Sequence, residues 1–264
     1  MIRDSATLSP AASAPSHRRL GAAGLLGLLL TWWLITAAGW VEPLFLPSPG
    51  QVLAALWRLH RQGYMGSSLG SHVLASLQRL LAALLASLAS ALTLGLAMGL
   101  LPRLRAVIDP WVELVRPLPP LAYLPLIVIW FGIGEPAKIL LIYLSMFPPL
   151  LVATISGVTR IEPARLQAVR SLGANRWQLI RWVILPGAAP PLLTGLRISL
   201  GIGWSCLVAA ELVATSRGLG FMIQSAAQFL ATDIVLAGIV LIAVFALGGE
   251  WGLRWLQHRY IHWN

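Results

Sequence analysis

The amino-acid sequence predicts an all-α membrane protein with six transmembrane helices. Of its 264 residues, 58% are hydrophobic and 11% are charged, and the mean hydropathy is +0.78. An average soluble domain has about 25% charged residues, so this composition excludes an ordinary soluble protein. The apolar residues are also grouped into runs long enough to cross a bilayer as helices, with polar segments between them.

The positive charge of the chain, +10 in all, has two possible explanations. A basic surface is typical of nucleic-acid-binding proteins, but here the cations lie between apolar runs, where the topology of a membrane protein explains them better. We therefore expect contact with membrane lipid and none with nucleic acid. The one cysteine, Cys206, lies in an apolar run and is expected to be a small buried side chain.

The chain divides into a short tail and a transmembrane domain. Residues 1–19 are rich in Ala, Ser and Pro, which predicts a flexible tail. Residues 20–264 form the transmembrane domain, and its first apolar run is too long for the core of a signal peptide. The predicted spans are residues 20–41, 80–101, 121–133, 137–158, 192–214 and 233–249.

The segments around the second and third spans have features of their own. Residues 42–79 combine helical apolar spacing with arginines, which predicts an amphipathic helix at the membrane interface. In the second span, Gly95 and Gly99 have the spacing that lets two helices approach closely. The third span begins among four prolines between residues 117 and 125, so we expect it to be short and broken at its start. Broken spans in transporters tend to line the pathway.

Residues 159–191 form the longest polar interruption between two spans. Apolar residues recur at helical spacing on both sides of Gly173. We therefore predict a helix, a bend at Gly173, a second helix and a stop at Pro186. The segment contains too many arginines to cross a bilayer; they are Arg160, Arg165, Arg170, Arg176 and Arg181.

The distribution of the cations predicts the orientation of the chain. Six spans place both termini and residues 159–191 on one side, which then carries thirteen Lys and Arg side chains against five on the other. Arg197 is left out of this count because it lies in a span. Since cytoplasmic loops are enriched in Lys and Arg, we expect both termini and the segment 159–191 to be cytoplasmic.

No motif of a catalytic or metal-binding site is found in the sequence. There is no phosphate-binding G-x-x-x-x-G-K-[ST] loop, no H-E-x-x-H and no G-x-S-x-G. We therefore expect no catalytic residue, no metal site and no cofactor in this chain. A membrane enzyme that uses Glu211 and Asp233 as paired carboxylates is an alternative, but a long loop separates the two residues.

Four residues are candidates for a transport pathway or its gate. Glu211 lies close to the end of the fifth span, and a carboxylate buried in a membrane is costly enough to indicate a function. It could instead reach water or form an ion pair with Arg217 in the following loop. Trp130 and Trp204 are placed where they could reach the pathway, although packing accounts for them more simply.

The segment 159–191 resembles the cytoplasmic loop of ABC importer permeases. The consensus of that loop is E-A-A, three residues, G, nine residues, I, one residue, L-P, and the spacing here matches throughout, with Gln in place of Glu, Val in place of the second Ala and Val in place of Ile. The matching residues are Gln167, Ala168, Val169, Gly173, Val183, Leu185 and Pro186. In the family this loop docks in a cleft of the ATP-hydrolysing subunit, so the resemblance implies a docking role for these residues. We include Arg176, a cation of the same segment, among them.

Further stretches are similar to permeases of the taurine, aliphatic sulfonate and nitrate group. They are RPLPPLA at 116–122, IWFGIG at 129–134, LRISLG at 196–201, AAEL at 209–212, GLGFMIQ at 218–224 and FLATD at 229–233. The resemblance implies the type I ABC importer permease fold in a bacterial inner membrane. It also implies a homodimer of permeases, two ATPase subunits that bind ATP and Mg, and a periplasmic substrate-binding protein.

The function implied by the resemblance is ATP-driven import of taurine or a related alkanesulfonate, with this chain as the permease. One alternative is the same importer class acting on another small anion, such as nitrate, or on an unrelated small solute. A different class is a stand-alone secondary transporter or channel, for which an ATPase-docking loop would have no purpose. Dependence of transport on a partner ATPase distinguishes these classes.

Overall fold

The computed structural model describes residues 17–213 and 215–260, and every regular element within them is a helix. This confirms the predicted all-α class. The helices are α1 (His17–Ala37), α2 (Pro49–Gln62), α3 (Leu69–Leu100), α4 (Pro102–Val115), α5 (Leu124–Phe131), α6 (Glu135–Thr159), α7 (Pro163–Ser171), α8 (Arg176–Leu179), α9 (Leu185–Glu211), α10 (Leu219–Gln228) and α11 (Thr232–Tyr260). A 3₁₀ turn (Pro120–Tyr123) precedes α5, and a π-helical turn (Ile180–Ile184) joins α8 to α9.

Five helical segments in the described part of the chain are long and apolar enough to cross a membrane. They are α1, α3, α6, the continuous segment from α8 to the end of α9, and α11. A sixth is obtained when α4 and α5, whose axes differ by 89°, are counted as one broken span. The prolines at 117–120 lie at that break, and α5 alone has only 8 residues, about 12 Å of helix.

The centre of the bundle is α6, which packs against α3 on one side and α9 on the other. Its side chains Leu141, Met146 and Leu150 are fully buried. The glycines of α3 bring the two backbones together: a Cβ atom would come within 2.7 Å of Thr154 if placed on Gly95 and within 2.6 Å of Val158 if placed on Gly99. The close approach predicted from the glycine spacing is therefore present.

A second layer is formed by α2, α10 and α11, which pack around Leu59, Leu219 and Met222. The amphipathic helix predicted within residues 42–79 is α2, and Ser48 caps its N-terminus by accepting from the N–H of Gln51. Helix α1 lies outside this layer with most of its side chains exposed. Its Trp32 donates from Nε1 to the carbonyl of Pro47 at 3.0 Å.

Two helices are longer than the apolar runs that predicted them. The second predicted span begins at residue 80, after Arg79, but α3 begins at Leu69. Arg79 does not mark the start of the helix because it is buried in ion pairs inside the fold. The last predicted span ends at 249, but α11 continues to Tyr260 because Glu250 pairs with Arg197 of α9. In both places a charge marks a contact between helices and not the end of a helix.

Other boundaries differ for reasons of backbone geometry. Helix α1 ends at Ala37, four residues before the predicted end, and Gly39 then takes a left-handed φ of +68°. The predicted stop at Pro186 is wrong, since α9 already includes it. Pro186 is the second residue of α9, and the π-helical turn before it accommodates the ring. Most of the predicted tail, residues 1–16, and residue 214 lie outside the described residues.

Candidate functional site

A cluster of polar and charged side chains, buried except for Glu135, joins three helices at one end of the bundle. We call it the Arg79 network. Helix α3 contributes His72, Ser76 and Arg79, whose spacing of four and three residues places them on one face. The first turn of α6 contributes Glu135 and Lys138, and α9 ends at Glu211.

The carboxylate of Glu211 is completely buried and fully hydrogen-bonded. Its Oε1 accepts from Nη1 of Arg79 and from Oγ of Ser76, both at 2.7 Å. Its Oε2 accepts from the backbone N–H of Gly220 at 2.7 Å. A buried charge is tolerated when it is paired and hydrogen-bonded in this way, so these contacts offset the cost of burying Glu211.

The guanidinium of Arg79 bridges two carboxylates from different helices. Its Nε and Nη2 donate to Glu135 at 2.6 and 2.7 Å, the two-pronged geometry that suits a guanidinium and a carboxylate. Nη1 donates to Glu211 and, at 2.9 Å, to the backbone carbonyl of Arg217. The side chain is 6% exposed, so α3, α6, α9 and the following loop are all tied to one buried cation.

The loop from Arg217 to Gly220 is held in place by hydrogen bonds between its backbone groups and side chains of the network. Oγ of Ser76 accepts from the N–H of Leu219 at 2.8 Å. Nδ1 of His72 lies 3.1 Å from both the amide nitrogen and the carbonyl oxygen of Gly218, and Nε2 lies 3.2 Å from the carbonyl oxygen of Tyr64. A side chain on Gly218 would collide with the carboxylate of Glu211.

The structure corrects the predicted partner of Glu211. The sequence offered Arg217 as that partner, but the cation in contact with Glu211 is Arg79, and Arg217 contributes only its backbone carbonyl to the network. Arg79 was predicted to lie outside the second span, so its role was missed. The spacing of His72, Ser76 and Arg79 on one helical face is the sequence signal that could have found it.

The two candidate tryptophans have opposite environments. Trp204 is buried in the core with Leu80 and Ile142, and its Nε1 has no hydrogen-bond acceptor among the described residues. Trp130 of α5 is 68% exposed and belongs to the exposed apolar face of the broken span. The structure therefore does not bring either tryptophan into the Arg79 network.

The segment 159–191 has the predicted helix, bend and second helix. The bend is at Gly173, whose φ of +85° is in the left-handed region. Asn175 then starts α8 as its N-cap, exchanging hydrogen bonds of 2.8 and 2.9 Å with Gln178. The inner face of the segment packs on the ends of α6 and α9 through Leu166, Val169, Leu179, Val183 and Ile184.

The outer face of this segment is apolar and cationic. Of the proposed docking residues, five are exposed, namely Gln167, Ala168, Gly173, Arg176 and Leu185, whereas Val169, Val183 and Pro186 are half-buried. Three large exposed apolar side chains lie beside them at positions that are not part of the consensus, namely Leu172, Trp177 and Trp182. An exposed patch of this kind is typical of an interaction site.

Comparison with a solved structure identifies the fold. The fold is similar to a chain in the crystal structure of an amino acid ABC transporter, with a TM-score of 0.57 and 18% identity. The match covers 72% of this chain and 92% of the other. At this identity the likeness concerns the fold alone, which is that of type I ABC importer permeases.

Comparison of sequences shows the family. The chain is 54% identical over 243 residues to the taurine transport system permease protein TauC of Escherichia coli (strain K12), covering 91% of this chain and 88% of TauC. It is 36% identical to SsuC of the same organism, a permease named for aliphatic sulfonates, over 90% of this chain and 89% of SsuC. Residues 91–262 match the family model described as "Binding-protein-dependent transport system inner membrane component". The chain belongs to this family of inner-membrane transport components.

Proposed function

We propose that this chain is the permease subunit of an ATP-driven importer and forms the pathway for taurine or a related alkanesulfonate. The observation that carries this proposal is the 54% identity to a taurine permease across nearly the whole length of both chains. The similarity to a second permease named for aliphatic sulfonates supports the same substrate class. Nitrate and other small anions are the alternatives within the importer class.

The proposed assembly is a homodimer of permeases with two ATPase subunits and a periplasmic substrate-binding protein. ATP and Mg are bound by the ATPase, since no phosphate-binding loop occurs in this sequence. The chain spans the bacterial inner membrane several times with both termini in the cytoplasm, an orientation supported by the cation count. The exposed face around Trp177 and Trp182 is the surface that we assign to the ATPase.

Coupling between the ATPase and the pathway follows from the continuity of one helix. We call α7 and α8, with the bend at Gly173 between them, the docking segment. The π-helical turn Ile180–Ile184 joins this segment directly to α9, so movement of the segment also moves α9. With 27 residues, α9 is about 40 Å long, and its far end is Glu211. We infer that ATP-driven movement of the docked segment is transmitted along α9 to the Arg79 network.

The substrate is tested by uptake of labelled taurine in cells that contain this chain with its ATPase and binding protein. The expected result is uptake that disappears when the chain is deleted, and that unlabelled taurine inhibits but nitrate does not. Uptake of nitrate or a longer alkanesulfonate in place of taurine would keep the permease class and reject the substrate. Uptake that persists without the chain would reject the proposed function.

A further inference from the structure

A cavity of about 760 Å³ opens beside the Arg79 network. It lies between α3, the start of α6 and the loop that follows α9. Its volume is in the range of sites for small organic molecules, which run from about 300 to 1,000 Å³. Its charged lining residues are Arg79, Glu135, Lys138 and Arg217.

The hydrogen-bonding capacity of Arg79 is nearly exhausted by the protein itself. Four of its N–H groups already donate to Glu135, Glu211 and the carbonyl of Arg217. A guanidinium has five such groups, so Arg79 has little left for a ligand. Its part in the cavity is to hold the carboxylate of Glu135 in place at the cavity wall.

Lys138 and Arg217, in contrast, have donors to spare. The side chain of Lys138 is 8% exposed, and among the described residues its ammonium donates only to Oε1 of Glu135, at a long 3.3 Å. Two of its three N–H groups therefore remain for a ligand. The side chain of Arg217 is exposed and lies within 4.0 Å of no carboxylate of the described residues.

The cavity thus offers two kinds of charge to a ligand. Lys138 and Arg217 supply positive charge with free donors. Glu135, whose side chain is 54% exposed, supplies a carboxylate that already accepts three hydrogen bonds and keeps about one of its four acceptor sites for a ligand. Burying an ammonium is costly unless acceptors surround it, and charged groups inside membrane proteins mark binding sites and pathways. A ligand that carries an oxyanion and an ammonium would complement both kinds of charge.

We propose that this cavity binds a small organic zwitterion, with its oxyanion at Lys138 and Arg217 and its ammonium at Glu135. The inference rests on the proposed function for the identity of the ligand, since taurine is a zwitterion of this class. Because Glu135 is shared with Arg79, the ligand contacts the same network that holds the end of α9. An anionic lipid headgroup has a similar oxyanion, so the test includes it.

The proposal is tested by equilibrium binding of labelled taurine to the purified complex of permease and ATPase in phosphatidylcholine nanodiscs, without the binding protein. We expect saturable binding, and an affinity for ethanesulfonate, which lacks the ammonium, that is several-fold weaker. Lys138→Met and Arg217→Gln should each weaken binding about tenfold or more, the effect of losing a charge-assisted hydrogen bond. Arg217 is exposed, so its variant stays informative if Lys138→Met fails to fold.

The matched control is Arg61→Gln, which removes an exposed arginine of α2 outside the cavity and should leave binding unchanged. Absence of saturable taurine binding, or equal affinity in Arg217→Gln and the wild type, would overturn the proposal. Equal affinity for ethanesulfonate and taurine would overturn the place assigned to the ammonium. Displacement of taurine by phosphatidylglycerol in the nanodisc, without taurine uptake in cells, would assign the cavity to lipid.

The binding and uptake measurements separate the two proposals. Taurine uptake in cells together with absent or Lys138-independent binding would leave the proposed function standing and reject the cavity site. Binding of taurine that depends on Lys138 and Arg217, in a complex that carries out no taurine uptake, would keep the site and reject the proposed function.

Discussion

Nη1 of Arg79 lies 2.7 Å from Oε1 of Glu211, although the two residues are 132 positions apart in the sequence. Both side chains are almost completely buried, at 6% and 0% exposure. Their ion pair joins the first half of α3 to the last residue of α9, and the second carboxylate on Arg79, Glu135, adds the first turn of α6. The three central helices of the bundle are therefore connected through one guanidinium.

Removing Arg79 should destabilise the protein strongly. Arg79→Met leaves Glu211 as a buried carboxylate without its cation, a change that costs about 3–5 kcal/mol in measured cases. Adding Glu211→Leu removes the unpaired buried charge, so the double variant should regain part of the stability that Arg79→Met loses. The measurement is the thermal midpoint at which the purified complex loses its monodisperse elution.

An exposed ion pair provides the control for Arg79. Arg58 pairs with Asp233, but its side chain is 57% exposed, so Arg58→Met should cost about 1 kcal/mol or less. A double variant that is no more stable than Arg79→Met alone would contradict a direct pairing of Arg79 with Glu211.

A methyl group at Gly218 should displace the carboxylate of Glu211. The φ of +142° at Gly218 is in a region that is almost restricted to glycine, which alone costs about 1–3 kcal/mol for another residue. The added Cβ would also collide with Glu211. We expect Gly218→Ala to abolish uptake and lower the thermal midpoint, whereas Gly50→Ala, at an exposed position in the first turn of α2, should change neither. Normal uptake by Gly218→Ala would mean that the loop can move without consequence.

Enlarging Gly95 should separate α3 from α6. A Cβ atom at this position meets Thr154 at 2.7 Å, so Gly95→Leu forces the two helices apart at a cost of about 1–3 kcal/mol. Gly27→Leu on α1 is the matched control, because no atom lies within 4 Å of a Cβ there. The yield and thermal midpoint of the two purified variants should differ clearly, and equal values would contradict the tight packing of α3 on α6.

Replacing Gly173 should uncouple the docking segment from the ATPase. Its left-handed φ of +85° is poorly tolerated by leucine but accessible to asparagine. Gly173→Leu should therefore reduce co-purification of the ATPase, while Gly173→Asn should largely retain it. No Cβ contact occurs within 4 Å at this position, so the expected loss comes from backbone geometry alone. Full co-purification of the leucine variant would refute a role for the bend.

The sequence was sufficient to predict the features that depend on local pattern. The helix, bend and helix around Gly173 follow from apolar spacing and one glycine, and the close packing at Gly95 follows from two small residues four positions apart. The break before α5 follows from its prolines. Each of these is determined by residues close together in the chain, so no knowledge of the tertiary structure was needed.

The Arg79 network could not be assembled from the sequence alone. Hydropathy treats Arg79 and Glu250 as charges that end a span, because the carboxylate and guanidinium that neutralise them come from distant helices. The same reasoning predicted an ion pair between Glu211 and the cation that follows it in the sequence, Arg217. The cation that pairs with Glu211 in the structure is Arg79 of α3. Pairing between distant segments is set by the packing of the helices, which a linear pattern does not contain.

The most direct test of the account is taurine accumulation by proteoliposomes that contain the permease, its ATPase and the binding protein, with each component omitted in turn. We expect taurine to accumulate only when all three components and ATP are present, with the binding protein on the side opposite the ATPase. Accumulation or equilibration of taurine by the permease alone would contradict it and would indicate a stand-alone transporter or channel.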